Sequence, residues 1–275
     1  MLPSLSPKIS PRPFLKWAGG KTQLLEQYQP YFPASLETYY EPFLGGGAVF
    51  FNWQPKQAFL SDINGELINT YCCVRDEVEA LIMLLQEHQL KHNKDYYYEM
   101  RAGGCGSNLE RAARFIYLNK TCFNGLYREN SKGQFNVPVG RYKNPSICNP
   151  DLLRSASAAL KFAQIEVKSF DAVLELARDS RDFVYFDPPY HPISNTSNFT
   201  SYSRFSFSEN DQIRLKDTFA ILANRGVKVM LSNSDCFLIR ELYQDFKIHV
   251  ISASRSINSN TKKRGKITEL LITSY

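Results

Sequence analysis

A carboxylate, two prolines and an aromatic ring follow one another in the segment Asp187-Pro188-Pro189-Tyr190. An apolar run at 183–186 precedes them, and a short β-rich run bounded by charges and prolines predicts a buried strand. Each proline fixes its own φ and lacks an N–H, so the pair ends the strand and stiffens the turn. The carboxylate and the ring are therefore predicted at the carboxyl edge of a strand, where open α/β sheets bind ligands. Taken alone, the same residues could be a plain strand terminator.

A second chemical pattern is a glycine turn between a predicted strand and a predicted helix. Gly45 and Gly47 fit half of a dinucleotide-binding fingerprint, but Phe50 stands where its third glycine belongs. The next predicted strand, 57–61, ends at Asp62, and an acidic residue there can accept hydrogen bonds from ribose hydroxyls. The missing glycine and the Glu-Pro-Phe entry to the turn argue against a pyrophosphate. They favour S-adenosylmethionine as an adenosine-containing cofactor.

Two further glycines stand between Trp17 and Lys21 and imply that the backbone approaches another group closely. Gly20, Lys21 and Thr22 resemble the end of a P-loop. That pattern needs a glycine five positions before Gly20, and Leu15 stands there, so a P-loop is rejected.

The composition is typical of a soluble globular protein, with 43% hydrophobic and 22% charged residues in a chain of 275. No run of about 18 apolar residues is present, so no membrane-spanning helix is expected. The six cysteines form no C-x-x-C pair and have no histidine cluster beside them, which argues against a metal site or a disulfide framework. The expected location is a reducing cytoplasm.

Basic residues are concentrated in two segments. The formal net charge is +6, a mild indication of a polyanionic partner. Segment 120–143 carries five basic residues against one acid, and segment 255–266 carries five basic residues and no acid. These segments are either solvated loops or contacts for phosphates.

The region between the two chemical patterns is predicted to leave the sheet. Helical periodicity runs from 66 to about 120, is broken by a loop at 103–108, and shows no strand-like alternation. We interpret it as the start of an inserted helical subdomain. Segment 121–142 continues the insert, and a turn at 130–133 between two extended runs predicts a β-hairpin. Aromatic residues alternate there with Arg, Lys and Asn, as in a finger that enters a major groove.

Strands and helices are predicted to alternate again after the insert. The predicted strands are 165–168, 183–186, 227–231, 247–251 and 267–273, and the predicted helices are 151–161, 170–177, 209–222 and 235–243. A shorter helix is predicted near the start, at 21–29. Ser208 and Asp211 are predicted to cap the helix that follows them. Segment 191–208 is predicted to be a mobile polar loop over the site, and 252–266 a basic loop.

Five motifs occur in a fixed order along the chain: F-L-K-W-A-G-G-K, E-P-F-L-G-G-G-A-V-F, D-I-N, F-N-G-L-Y-R with G-Q-F-N-V-P-V-G-R-Y, and D-P-P-Y. With this set the chain resembles DNA adenine-N6 methyltransferases of the Dam type (D12 class, alpha group), including the methylases of GATC-specific restriction–modification systems. The resemblance covers the chain from about Pro13 to Tyr275. It implies an α/β fold: a Rossmann-like, S-adenosylmethionine-dependent methyltransferase sheet with an inserted helical and β-hairpin DNA-recognition domain. The implied catalytic domain is 1–72 with 158–275, and the implied recognition domain is 73–157.

The resemblance also implies three groups of site residues. The catalytic group is Asp187, Pro188, Pro189 and Tyr190. The cofactor-binding group is Trp17, Ala18, Gly19, Lys21, Glu41, Pro42, Phe43, Gly45, Gly47, Asp62, Ile63, Phe170, Asp171 and Asp187. The DNA-binding group is Lys16, Phe123, Asn124, Leu126, Arg128, Asn136, Pro138, Arg141 and Tyr142. Within it, Lys16 would contact the first guanine of the site, and Phe123 could fill the gap left by a displaced base. No metal is implied.

The implied reaction takes place at an amine that lies inside a duplex. The target base must therefore be flipped out, which costs a few kcal/mol of unstacking. Asp187 would accept one N–H of the amine and the Pro188 carbonyl the other, which favours a pyramidal nitrogen with its lone pair aimed at the methyl donor. Tyr190 would stack on the flipped adenine. Direct transfer would then depend on positioning and on the carboxylate facing the developing positive charge.

Other functions remain open from the sequence. Cytosine presents a similar amine, but enzymes that act on cytosine-N4 usually carry Ser in place of Asp187. A non-catalytic DNA-binding relative is a second alternative, and methylation of RNA or of a protein glutamine is a third. The expected partner is double-stranded DNA, with a cognate restriction endonuclease acting on the same site as a further partner, without direct contact. The sequence does not distinguish a restriction–modification role from a solitary regulatory role.

Overall fold

The computed structural model describes residues 9–104, 106–192, 207–254 and 266–275. Most of the predicted polar loop, at 193–206, and most of the predicted basic loop, at 255–265, lie outside these ranges. Both predictions therefore remain predictions.

Within the described ranges, seven strands form a mixed sheet in the order β3-β2-β1-β4-β5-β7-β6. The strands are β1 (Thr38–Glu41), β2 (Ala58–Asp62), β3 (Ala163–Val167), β4 (Asp182–Phe186), β5 (Lys228–Ser234), β6 (Lys247–Ser254) and β7 (Lys266–Thr273). β1 pairs in parallel with β2 and β4, and β4 pairs in parallel with β5. β7 is antiparallel to both β5 and β6. The predicted strands are confirmed, and their ends shift by only a few residues.

The described helices follow the predicted alternation, except that the predicted helix 170–177 is a 3-10 turn at Phe170–Ala172 followed by one α-helical turn at Val173–Leu176. They are α1 (Leu25–Tyr28), α2 (Ala48–Trp53), α3 (Gly65–Asp76), α4 (Val78–Lys91), α5 (Lys94–Ala102), α6 (Asn108–Thr121), α7 (Pro150–Leu160), α8 (Val173–Leu176), α9 (Glu209–Asn224) and α10 (Phe237–Leu242). The predicted helix 21–29 is instead one α-helical turn between two 3-10 turns, Lys21–Gln23 and Gln29–Tyr31. Pro30 explains the second break, because proline removes a helical N–H.

The ends of two helices are fixed by capping boxes. Ser208 accepts the N–H of Asp211 and the Asp211 carboxylate accepts the N–H of Ser208, as predicted for the start of α9. Ser107 and Glu110 form the same reciprocal pair at the start of α6. Each such cap stabilises its helix by about 1 kcal/mol.

Contacts within the chain define two compact units. Unit 1 comprises residues 1–20, 45–54 and 64–167, and unit 2 comprises residues 21–44, 55–63 and 168–275. The core of unit 2 is apolar and includes the central strands, with Val184, Phe186, Val229 and Leu231 fully buried. A strand that is buried on both faces has apolar residues at consecutive positions, because side chains on both sides of the sheet are in the core. This explains the apolar run at 183–186.

The predicted β-hairpin at 121–142 has the expected turn but no continuous strands. Gly133 N–H donates to the Asn130 carbonyl at 2.9 Å, which closes the predicted turn. Only two isolated antiparallel bridges, Cys122 with Val139 and Glu129 with Phe135, occur in this segment. A 3-10 turn at Phe123–Gly125, with Asn124 at a φ of 54°, interrupts the first arm. Pro138 in the second arm has no N–H to donate to a ladder.

Candidate active site and nucleic-acid interface

Asp187 stands where β4 leaves the sheet. All five residues of β4 are buried, whereas the side chain of Asp187 is 20% exposed. Pro188 is buried, Pro189 is exposed and Tyr190 is half-buried. Because β4 lies between the parallel strands β1 and β5, this turn lies at the carboxyl edge that the sequence predicts.

Two groups hold the same oxygen of the Asp187 carboxylate. Lys21 Nζ lies 2.7 Å from Oδ1, and the Lys21 side chain is only 4% exposed. The Ser232 hydroxyl donates to the same oxygen at 2.8 Å. Since Ser232 has only one proton, the Tyr185 hydroxyl, 3.0 Å away, donates to Ser232. The carboxylate is thus oriented by hydrogen bonds, and its charge is balanced by a buried ammonium group.

The ring of Tyr190 is fixed by its hydroxyl and by its face. The hydroxyl donates to Glu269 Oε2 on β7 at 2.7 Å. Lys21 Nζ lies 4.7 Å from the ring centroid, within the range of a cation–π contact. Burial raises the pKa of Glu269, while the Lys21 charge and the Tyr190 hydrogen bond act in the opposite direction. Burial also raises the pKa of Tyr190 well above its ordinary value, so the phenol keeps its proton and remains a donor.

Two buried amides hold the backbone of the same turn. Gln212 Nε2, on α9, donates to the Pro189 carbonyl at 3.0 Å. Asn233 Nδ2, on β5, donates to Gln212 Oε1 at 2.9 Å, and Asn233 Oδ1 accepts the His191 N–H at 3.2 Å. Gln212 and Asn233 are almost fully buried. The turn is therefore braced on both sides of Tyr190.

Acidic residues end two neighbouring parallel strands of unit 2. Glu41 ends β1, is buried, and accepts the Tyr39 hydroxyl at 2.9 Å. Asp62 ends β2 and is half-buried, and the next residue, Ile63, is exposed. The carboxyl ends of β1 and β2 thus present carboxylates at the edge where such sheets bind ligands.

Aromatic rings form a cluster around Phe43. The Phe43 ring stacks on Phe170 with centroids 5.4 Å apart, and Phe207 packs edge-on at 5.7 Å. The Arg214 guanidinium lies 4.9 Å from the Phe170 centroid and 3.7 Å from the Asp171 carboxylate. The predicted residues Phe43, Phe170 and Asp171 are therefore neighbours in unit 2.

The glycine turn of unit 1 packs against Trp17. Gly45 has a φ of +47°, and a Cβ there would lie 2.8 Å from Trp17 Cδ1. The Trp17 ring stacks on Tyr127 at 5.7 Å and on Phe115 at 6.4 Å. Gly47, with a φ of 65°, directly precedes α2. Glycine is thus required at position 45 both by backbone conformation and by the indole beside it.

The predicted DNA-reading residues of unit 1 form two small groups. Lys16 is exposed, and its ammonium lies 4.2 Å from the ring centroid of Tyr142. Arg128 Nε donates to Asn136 Oδ1 at 2.7 Å, and its Nη2 donates to the Asn136 carbonyl at 3.2 Å. The remaining members differ in exposure: Phe123, Asn124, Pro138 and Arg141 are exposed, and Leu126 is half-buried.

Residues 17–257 match the family of D12 class N6 adenine-specific DNA methyltransferases. The chain belongs to this family. It is 49% identical over 276 residues to a type II methyltransferase of Lactococcus lactis subsp. cremoris, which covers 98% of this chain and 97% of the relative. It is 43% identical over 288 residues to a type II methyltransferase of Methanocaldococcus jannaschii, at 96% and 99% coverage. A DNA adenine methylase of Escherichia coli K12 is 39% identical over 264 residues, at 94% coverage of both chains.

The chain is thus an adenine-specific DNA methyltransferase. Its mixed α/β sheet is consistent with a methyltransferase fold. The family assignment decides against cytosine-N4 methylation, methylation of RNA or of a protein glutamine, and a non-catalytic DNA-binding role. The family implies a DNA substrate and S-adenosylmethionine as the methyl donor. None of the described helices is long and apolar enough to cross a membrane. In the same ranges, no cluster of three or more His, Cys, Asp or Glu side chains could hold a metal ion.

Several side chains that hold the turn at 187–190 were missed by sequence reasoning. They are Ser232, Asn233, Gln212 and Glu269. A signal for two of them was present in the polar run Ser232-Asn233-Ser234-Asp235, which ends the strand next to β4. Gln212 and Glu269 had no such signal, because each lies in an ordinary amphipathic helix or strand and meets the turn only through the tertiary fold.

Proposed function

We propose that this methyltransferase transfers a methyl group to the N6 amine of adenine within duplex GATC, and that it flips the target adenine out of the helix. The observation that carries the catalytic part is the fixed Asp187 carboxylate, whose Oδ1 is held by Lys21 and Ser232. A carboxylate fixed in this way can accept a hydrogen bond from an amine without reorganising during the reaction.

The catalytic roles follow from the chemistry of the turn. Asp187 accepts one N–H of the target amine, and the Pro188 carbonyl accepts the other. Two acceptors draw the nitrogen away from conjugation with the ring and leave its lone pair more available. Tyr190 stacks on the flipped base, and its hydrogen bond to Glu269 keeps the ring in position. Pro189 stiffens the turn, because its φ is fixed.

The residues present fit S-adenosylmethionine. When bound, this cofactor supplies a methyl group carried on a positively charged sulfur. The carboxylates of Glu41 and Asp62 suit amine and hydroxyl groups, and the stacked rings of Phe43 and Phe170 offer an apolar surface to an adenine. The full set proposed to hold the cofactor is Trp17, Ala18, Gly19, Lys21, Glu41, Pro42, Phe43, Gly45, Gly47, Asp62, Ile63, Phe170, Asp171 and Asp187.

Sequence recognition is assigned to Lys16 and to residues of the proposed recognition domain, 73–157. The exposed ammonium of Lys16 and the guanidinium of Arg128 are donors that suit the acceptor edge of guanine in the major groove. Phe123 is 46% exposed and is proposed to fill the space of the displaced base. The other proposed DNA contacts are Asn124, Leu126, Asn136, Pro138, Arg141 and Tyr142.

Base flipping is tested directly with a fluorescent base. A duplex that carries 2-aminopurine in place of the target adenine should gain fluorescence when the enzyme and cofactor bind, because the unstacked base is no longer quenched. A duplex with 2-aminopurine two positions outside the site is the control. Equal responses from the two duplexes would argue against flipping of the target base.

The GATC site is tested by digestion of a plasmid. After incubation with the enzyme and S-adenosylmethionine, a GATC nuclease that methylation blocks should no longer cut, and a nuclease that requires methylated GATC should cut. Continued cutting by the first nuclease would contradict the site, and incorporation of labelled methyl groups elsewhere in the plasmid would identify a different one.

The proposed setting is the cytoplasm, where duplex DNA is accessible. The proposed functional partner is a restriction endonuclease that acts on the same site without touching this chain. Expression of the methyltransferase should then protect a host from a GATC endonuclease, and the Asp187→Asn variant should not.

A further inference from the structure

Asn119, on α6, binds the backbone of Lys16 on both sides of that residue. The Lys16 N–H donates to Asn119 Oδ1 at 2.9 Å, and Asn119 Nδ2 donates to the Lys16 carbonyl at 2.7 Å. The two residues are 103 positions apart in sequence, and Asn119 is 3% exposed. One buried side-chain amide therefore pairs with both the N–H and the carbonyl of Lys16, as the backbone of a neighbouring strand would. These two hydrogen bonds fix the position of the Lys16 backbone.

The same amide also reaches the segment that carries the other base-reading residues. Asn119 Nδ2 donates to the Gly125 carbonyl at 3.3 Å. Gly125 has a φ of +63°, and a Cβ there would lie 2.5 Å from both Cβ and Cδ of Lys16. The turn at Gly125 thus packs directly on the aliphatic stem of Lys16, so that only glycine fits. Beyond this contact the Lys16 ammonium lies over Tyr142.

We propose that Asn119 is a specificity-determining positioning residue: it sets the register between Lys16 and the recognition segment 124–128. This inference rests on the proposed function, which assigns Lys16 and Arg128 to base pairs of the site. Asn119 itself touches no base, because its amide donor and acceptor are already hydrogen-bonded to the backbone of Lys16 and Gly125. It determines which base edge the Lys16 ammonium can reach while Arg128 is bound to its own base.

The physical reason is geometric. Hydrogen bonds to base edges require the donor within a few tenths of an ångström of its place. The Lys16 side chain is flexible, so its reach is defined by where its backbone is held. Without Asn119 that backbone loses two hydrogen bonds, and the Gly125 carbonyl loses a third. We expect the reading of one base pair to relax by about 5- to 100-fold, the range of a single base-specific contact.

The experiment measures methylation rates on a set of duplexes in which each base pair of the preferred site is replaced in turn. Asn119→Ala and Lys16→Ala should relax the same outer base pair. Thr121→Val is the matched control, because Thr121 is buried on the same helix and its hydroxyl donates within α6 to the Tyr117 carbonyl at 2.6 Å. This control should lower the rates evenly, if at all, and leave the preference of the enzyme unchanged.

A double variant separates positioning from general stability. In the Lys16→Ala background, Asn119→Ala should cause no further loss of discrimination at the shared base pair, because the group that it positions is gone. An even loss on all duplexes, or additive losses of discrimination in the double variant, would overturn the proposal. If Asn119→Ala does not fold, Asn119→Asp keeps the shape and the acceptor oxygen but cannot donate to the Lys16 carbonyl, and it should relax the same base pair.

The outcomes distinguish this inference from the function on which it rests. The wild-type profile alone decides whether GATC is the preferred site. If another site is preferred, the comparison of Asn119→Ala with Lys16→Ala is made on that site and decides the inference there. If Lys16→Ala relaxes no base pair, the role of Asn119 falls together with that of Lys16, whatever the preferred site.

Discussion

Lys21 and Asp187 form a largely buried ion pair, with 2.7 Å between Nζ and Oδ1. The Ser232 hydroxyl donates to the same carboxylate oxygen. The carboxylate is therefore held in place before any substrate arrives, and its negative charge is balanced by the buried ammonium group of Lys21. Groups fixed in this way contribute to catalysis because they need no reorganisation in the transition state.

Loss of the Lys21 charge should destabilise the enzyme. Lys21→Met leaves Asp187 without its cation, and removal of one partner of a buried pair costs about 3 kcal/mol. Part of this loss should be regained in the double variant Lys21→Met with Asp187→Asn, which leaves no unpaired charge. Urea unfolding of the wild type, Lys21→Met, Asp187→Asn and the double variant gives the coupling energy, and Lys247→Met, at an exposed position of unit 2, is the control. Equal stability of Lys21→Met and the wild type would mean that the pair contributes nothing.

The buried amides behind the turn should affect turnover more than binding. Gln212→Met removes the donor to the Pro189 carbonyl and the acceptor of Asn233 Nδ2, and two polar groups that lose their partner cost about 1–3 kcal/mol. The single-turnover rate of methyl transfer should fall about tenfold or more. Affinity for duplex DNA should stay near the wild-type value. Gln244→Met, on the surface of unit 2, controls for the loss of a glutamine, and a parallel loss of DNA affinity would argue against a positioning role.

Arg128→Ala should relax the sequence preference of the enzyme at one outer base pair, with a loss of about 1–3 kcal/mol of discrimination. In the free protein the guanidinium is held by Asn136, so Asn136→Ala should have a smaller effect on the same base pair. Methylation rates on single-substitution duplexes measure both variants. If Arg128 contacts only phosphate, Arg128→Ala will instead weaken the binding of the enzyme to all duplexes alike and lower the salt dependence of that binding.

Lys120 makes stability depend on pH at the alkaline end. Burial lowers its pKa to about 8, and the charges of Lys16 and Arg12 act in the same direction. A lysine whose pKa is lower in the folded state than its ordinary value of 10.5 destabilises the fold while it is charged. The free energy of unfolding is therefore highest above pH 10.5, where Lys120 is neutral in both the folded and the unfolded state. This extra stability is lost as the pH falls through about 8, where the folded state also takes up the proton.

Lys120→Met should therefore gain stability relative to the wild type at pH 7, by at most about 3 kcal/mol, and the gain should shrink as the pH is raised towards 10. Urea unfolding at several pH values measures it. Lys94→Met, at an exposed position of unit 1, controls for the loss of one positive charge. A gain that does not change with pH would show that it comes from packing and not from the charge.

Local sequence patterns were enough to predict most of the strands and helices and the motif that ends β4. The run at 183–186 and the following prolines specify a buried strand and its end, because both depend on neighbours in sequence. The acid at the end of β2 and the capping residues of α9 are predicted for the same reason. The hairpin was predicted only in part: its turn residues are local, but Asn124 at positive φ and Pro138 break the strand pairing.

The contacts that fix the site depend on residues far apart in sequence. Ser232 and Asp187 are separated by 45 positions, Glu269 and Tyr190 by 79, and Asn119 and Lys16 by 103. Ser, Gln, Glu and Asn are ordinary surface residues in most proteins. Nothing local distinguishes a buried Gln212 from an exposed Gln244, and only the packed fold shows which polar side chain has a backbone carbonyl to bind.

We propose above all that the fixed carboxylate of Asp187 holds the amine of the target adenine for methyl transfer. The most direct test is a single-turnover reaction on a duplex with one GATC site, followed by mass analysis of the nucleosides. The wild type should yield N6-methyladenine and no N4-methylcytosine. Asp187→Asn should bind the duplex with unchanged affinity and react about 100-fold more slowly or worse. A near-normal rate for Asp187→Asn, or N4-methylcytosine from the wild type, would contradict the account.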